Sequence, residues 1–253
     1  MNAGLERYRL RPLAAEERQG WLDWSLDFFT DRRHLQVPYL DITLALDLTS
    51  AWRRHGQHPL NRDQRGSDQQ GDGSRPGASF FAWLSWSLLQ TLARHPGFLL
   101  RQLDGAWWVV ENPPLVVPVA VGGSQRFVEL VLPDVIGSSW ESFAARYAAQ
   151  LAHLRGGALQ RADWTAYNLG IFFGNLPHLA FTSLTLHTHG GDAPGRCTFY
   201  AGQRHWQGER LIMPLAVKLH HATSDPWLLD QLLADWRQTF LDPPASLDGS
   251  AIG

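Results

Sequence analysis

Apolar and polar positions alternate with two different periods along this chain, and the switches between them mark the elements. Residues 14–29, AAEERQGWLDWSLDFF, place Trp21, Trp24 and Phe28 three or four apart, which predicts a helix. VPYLDITLALDLTSAW follows, rich in β-branched and alternating apolar residues, and is read as a strand. SFFAWLSWSLLQTLARHPGF is an apolar helix stopped at Pro96-Gly97. Short strands are expected at FLLRQL, AWWVVE, LVVPVAV and RFVELVL, the first two joined at Asp104-Gly105. Residues 138–155 read as a helix opened by Ser138 and Glu141 as a capping box. Strands return at LGIFFG, HLAFTSLTLH, RCTFYAG and ERLIMPLAVKLHH. A last helix starts at Asp225-Pro226 and buries Leu229, Leu232, Trp236 and Phe240. Interleaved helices and hairpins without repeats predict one α+β domain over residues 1–253, on a mixed, largely antiparallel sheet covered by helices.

Two segments stand outside this pattern. Residues 56–78 hold five glycines and two prolines, with Leu60 as the one larger aliphatic, and are expected to form a mobile polar insertion. Residues 242–253 are expected to fray.

Composition then removes whole classes of function. Twenty-two basic and 24 acidic residues give a net charge of −2, so no bulk charge draws the chain to nucleic acid. One cysteine, Cys197, excludes an internal disulfide framework and a cysteine-based zinc finger. No apolar run approaches the roughly 20 residues of a membrane span, and the N-terminus lacks a signal-like core. A cytoplasmic protein with no membrane partner is the expectation. His187 and His189 have H-x-H spacing, but loop histidines are the commoner explanation, so no metal site is expected. Twelve tryptophans must be buried or used.

The segment QGERLIMPLAVKLHHATSD, residues 207–225, carries the chemistry. Read as a strand, Leu211, Met213, Leu215, Val217 and Leu219 share one face with His221, while His220 points the other way beside Lys218. A desolvated neutral imidazole at that strand end, its pKa pulled down, could take up a proton. The same pattern also fits a core-edge histidine with a satisfied hydrogen bond. Asp225 reads as the cap of the last helix and as a residue that fixes the turn aiming His221.

That segment, with its HHxxxD pattern, resembles the C-terminal signature of the chloramphenicol acetyltransferase family. RHPGFLLRQLDG, LALDLTSAW and FFGNLPHLAFTSLTL are similar to further family segments, in the same order, over roughly residues 20 to 240. The resemblance implies an acyltransferase that moves an acyl group from acetyl-CoA or another acyl-CoA, or from an acyl carrier protein, to a hydroxyl or amine of a small molecule. Acyl-CoA would be a co-substrate, with no cofactor bound permanently. His221 would be the general base, Ser183 the oxyanion donor and Asp225 structural. Trp206, Trp227, Tyr39 and Thr43 are candidates for lining the substrate site. A homotrimer with active sites between subunits, in bacterial specialised metabolism, is implied. The alternative is a catalytically altered member that binds a ligand or partners within a biosynthetic complex.

The chain departs from the family pattern at three places. Pro226 stands where the motif has glycine. Trp21 occupies the region of an arginine that pairs with the motif aspartate, with Arg18 the nearest substitute. His178 replaces the tryptophan of the family's Pro-Trp pair.

Overall fold

The computed structural model describes residues 6–33, 35–57, 79–187 and 192–241. The proposed insertion and tail, apart from Gly56, Gln57 and the edges of their flanking helices, lie outside the described residues, as does His189.

The framework is a mixed sheet in the order β2-β10-β8-β7-β5-β6, with β9 pairing the first part of β10. Its strands are β2 (Tyr39–Asp47), β5 (Leu115–Gly122), β6 (Arg126–Leu132), β7 (Ile171–Asn175), β8 (Thr198–Ala201), β9 (His205–Gln207) and β10 (Arg210–His220). β7 runs parallel to β5 and β8, while β2, β8 and β9 pair antiparallel with β10. A second sheet, β1-β4-β3, combines β1 (Leu10–Pro12), β4 (Ala106–Val110) and β3 (Leu100–Leu103). The mixed sheet was expected from the interleaved pattern.

Among the described residues six longer helices accompany the sheets: α1 (Trp21–Phe28), α2 (Thr49–Gln57), α3 (Phe80–Leu92), α4 (Trp140–Arg155), α5 (Trp164–Leu169) and α6 (Pro226–Leu241). Every residue of α3 is buried, because it is wedged among α2, α4, α6 and the sheet. Two tryptophan hydrogen bonds tie α3 to its neighbours. Trp86 Nε1 donates to Ser138 O at 3.0 Å, and Trp236 of α6 donates to Ser87 Oγ at 2.9 Å. The last helix starts and packs as expected, with Leu229, Leu232, Trp236 and Phe240 all buried.

Four expectations about elements are corrected. The first helix does not span residues 14–29, since Gly20 at φ +56° separates a short 3-10 turn at Ala15–Glu17 from α1. The strand after it stops at Asp47, whose carboxylate accepts from the Thr49 N–H (2.9 Å) and hydroxyl (2.6 Å), turning TSAW into the start of α2. The cap of α4 is Ser139 rather than Ser138: Ser139 Oγ accepts from Ser142 N–H, while the Ser138 hydroxyl donates to Val135 O. Residues 178–187, expected as a strand, form no ladder, and the segment 176–187 is held by isolated bonds.

Arg101 is fully buried and pairs with no carboxylate among the described residues. Its guanidinium donates to the carbonyls of Asn168, Phe98, Leu100, Gly195 and Gly170 at 2.8–3.2 Å. Burial lowers its pKa to about 10, so it is charged at neutral pH and ties three backbone segments together.

Candidate active site

His221 follows the last residue of β10 and is anchored by its backbone, with its N–H donating to Pro38 O at 2.7 Å. The turn after it is tightly bonded. The His220 carbonyl accepts from the amides of Thr223 and Ser224, both at 3.0 Å, and from the Ser224 hydroxyl at 3.2 Å. Asp225 closes the turn and caps α6: its Oδ1 accepts from the Leu228 N–H at 2.8 Å. Pro226 is the first residue of α6, where a fixed φ and a missing donor cost nothing. Capping, the simpler of the two roles read for Asp225, is therefore present despite the departure from glycine. Arg18 pairs with Asp27 at 2.5 Å, and among the described residues no arginine pairs with Asp225.

The imidazole of His221 packs on α1. Its ring lies 4.1 Å from that of Phe29 and 5.5 Å from that of Trp21, measured between centroids. Its Nδ1 is buried and makes no hydrogen bond among the described residues. Trp21, Ser25 and Phe29, spaced by four, form the side of α1 that faces this turn. The Ser25 hydroxyl, fully buried, donates to Ala222 O at 2.8 Å. The expected stripe of Trp21, Trp24 and Phe28 is thus only partly right, because Trp24 (47 %) and Phe28 (43 %) lie exposed. Helical spacing located the helix, but Ser25, the residue that binds the turn, carries no apolar signal.

His220 is buried, at 1 % exposure, and its Nδ1 accepts from the Ala222 N–H at 3.3 Å. Desolvation, reinforced by Arg101 and His221, pulls its pKa to about 3. The desolvation that alternation assigned to this strand end acts on His220, because both faces of β10 are covered. As expected, His220 lies on the side of Lys218: the Tyr39 ring centroid is 4.9 Å from that of His220, the two rings near perpendicular, and 5.3 Å from Lys218 Nζ. Lys218 Nζ also reaches Asp41 at 2.7 Å, and burial raises Tyr39 to about 12.

Ser183 lies in the segment 176–187 and is exposed. The neighbouring Leu184 N–H donates to Thr43 Oγ1 at 3.2 Å, which places Ser183 beside the Thr43 rung of β2. Five residues of strand separate Thr43 from Pro38, the partner of His221. At about 3.4 Å per residue that is about 17 Å, so one chain does not bring Ser183 and His221 together. Trp206 is on β9 opposite Leu211, ten residues along β10 from His221, hence at the far end of the strand. Trp227 is 68 % exposed in the first turn of α6. Thr43 holds the 176–187 segment, and Tyr39 packs on the far side of the strand from Trp21. Among the described residues no cluster of His, Cys, Asp and Glu is placed to hold a metal. No helix among the described residues is long and apolar enough to cross a membrane.

A solved chloramphenicol acetyltransferase superposes with a TM-score of 0.66 and 20 % identity, over 92 % of this chain and 99 % of that one. The fold is chloramphenicol-acetyltransferase-like. A dihydrolipoamide acetyltransferase from Azotobacter vinelandii matches with a TM-score of 0.61 and 15 % identity, over 83 % of this chain and 84 % of that one. The cubic core of a pyruvate dehydrogenase multienzyme complex matches at 0.61 and 14 %, over 92 % and 96 %. No family model and no curated protein matches the chain.

Proposed function

We propose that this chain is an acyltransferase that moves an acyl group from the thioester of a CoA, or of a carrier protein, to a hydroxyl or amine of a small molecule. His221 takes the proton from the acceptor, whose oxygen or nitrogen attacks the thioester carbonyl. The Ser183 hydroxyl donates to the resulting oxyanion. Collapse breaks the carbon–sulfur bond, and the leaving thiolate takes the proton back from the imidazolium. No acyl-enzyme forms.

The observation that carries this reading is the placement of His221 at the rim of an aromatic surface, while Ser183 sits by Thr43, whose rung is about 17 Å along β2 from Pro38, the anchor of His221. Each copy then holds one half of two sites, which a homotrimer completes. Exposed Trp24, Phe28 and Val37 around His221 supply apolar surface for a second copy to cover. The Azotobacter protein was investigated for the roles of a serine, a histidine and an asparagine four positions after that histidine. His221 and Asp225 repeat the four-residue spacing with aspartate in place of asparagine, and Ser183 likewise precedes them in the chain.

The test is acetyl-CoA turnover, followed by free thiol, with and without a hydroxyl acceptor such as chloramphenicol. His221→Ala is expected to abolish transfer while sedimentation still reports a trimer. Ser183→Ala is expected to lower kcat by about 10²-fold. Full turnover in His221→Ala would refute the base assignment. A second reading, a trimeric ligand- or partner-binding protein in a biosynthetic complex, is favoured by Asp225, which serves as a helix cap with no arginine pairing with it among the described residues. Absence of turnover with every thioester, alongside retained trimer, would select it.

A further inference from the structure

A general base works only if its ring is held at the right angle, and the usual device is a hydrogen bond at the nitrogen that does not react. His221 lacks that device among the described residues: its buried Nδ1 makes no hydrogen bond. The ring orientation must then come from packing and from the backbone that carries it.

Both constraints converge on one residue, Ala222, through the two peptide groups that flank its Cα. The Ala222 N–H is taken by His220 Nδ1 at 3.3 Å, and the Ala222 carbonyl is taken by the Ser25 hydroxyl at 2.8 Å. Ser25 and His220 are buried to 0 % and 1 % exposure, so neither bond is shared with bulk water. Ser25 sits one turn from Trp21 and one turn from Phe29 on the same ridge of α1, and those two rings pack against the imidazole. The neighbouring carbonyl of His220 is bonded by Thr223 and Ser224. Behind them stands Gly97, where an added Cβ would come within 2.6 Å of Thr223 O.

We propose that Ser25 and His220 are positioning residues for His221, holding the backbone on both sides of the Ala222 Cα so that the imidazole is fixed against Trp21 and Phe29. This rests on His221 being the base. The accepting role fixes His220 with its proton on Nε2, because only a bare Nδ1 can accept the Ala222 amide. An asparagine at position 220 can present a carbonyl oxygen to the same amide, whereas phenylalanine cannot.

The experiment compares Ser25→Ala, His220→Phe and His220→Asn in the full chain, with two readouts. The first is steady-state acetyl-CoA turnover, with water and with chloramphenicol as acceptor. The second is the nitrogen spectrum of histidine-labelled protein, with His221 assigned by its loss in His221→Ala. Ser25→Ala and His220→Phe are expected to lower kcat by about 10-fold to 10²-fold with KM for acetyl-CoA within about twofold, while His220→Asn stays within about threefold of wild type. The His221 ring signals are expected to shift or broaden in the first two variants and to keep their positions in the third. Unmoved His221 signals in both Ser25→Ala and His220→Phe overturn the proposal, whatever the turnover. Unchanged kcat in those variants, with His221→Ala inactive, overturns it as well. If wild type and His221→Ala turn over alike, the base reading fails, and the ring signals still decide whether the Ala222 backbone is clamped. Should His220→Phe not fold, Ser25→Ala, which removes one oxygen, decides alone.

Discussion

Acid should weaken this fold through His220 before it reaches any carboxylate. The folded protein holds this imidazole at about 3, while the unfolded chain titrates at its ordinary 6.5. A base with a depressed folded-state pKa stays neutral when folded, so the unfolded chain binds the extra proton and acid favours unfolding. Stability is therefore full above about pH 7 and falls between 6.5 and 3, by about 1.4 kcal/mol per pH unit. From pH 8 to pH 5 the loss comes to about 2 kcal/mol, or about 4–8 °C in Tm for a chain of this size. Asp47 is also depressed, to about 2 by Thr49 and Arg210, but it loses its contribution only below pH 4. The assay is urea unfolding of wild type and His220→Asn at pH 8, 7, 6 and 5. The other histidines act in both proteins, so the difference between the two curves isolates position 220. The gap is expected to change by about 2 kcal/mol in favour of the variant as pH falls to 5. Parallel curves would refute the claim that this histidine is buried neutral.

Gly97→Ala should destabilise the protein and also impair turnover, since its Cβ would press on Thr223 O in the turn that carries His221; a melting curve with acetyl-CoA kinetics checks both. Arg101→Met should cost more than about 3 kcal/mol, because five carbonyls lose their donor in a dry interior, and denaturant unfolding measures it. Trp236→Ala should cost about 3–5 kcal/mol by leaving a cavity against α3 and removing the donor to Ser87, again read by denaturant unfolding.

The parts of this fold that could be read from sequence are those where one local rule acts alone. Asp225-Pro226 before an apolar run set the start of α6, and its buried stripe followed from spacing. The apolar row from Leu211 to Leu219 placed β10 in the core. Where two rules compete, the reading fails for identifiable reasons. LALDLTSAW continues the β-branched pattern past Asp47, yet the Asp47 carboxylate captures the Thr49 donors and starts a helix. FTSLTL has strand composition, but Leu184 spends its amide on the Thr43 side chain rather than on a ladder. Alternation divides a strand into inside and outside only when one face meets water. Beneath β10 the second face is also covered, so His220 ends up the more deeply buried of the pair.

The glycine-to-proline departure has the same local character. What matters for His221 is the geometry from His220 to Asp225, and four of its bonds converge there without using residue 226: two amides and a hydroxyl on the His220 carbonyl, and the Leu228 amide on Asp225. Pro226 enters only as the first residue of α6, a position that suits proline. The change therefore falls on how the helix begins rather than on how the imidazole is aimed. A motif written as a string treats Asp225 and residue 226 as one unit, whereas the hydrogen bonds divide them between a turn and a helix. On that division, replacing Pro226 with glycine restores the family's letters but adds backbone freedom at the helix start, and it should lower stability without raising kcat. A melting curve and the acetyl-CoA assay on Pro226→Gly separate the two effects, and a rise in kcat would show that proline does disturb the base.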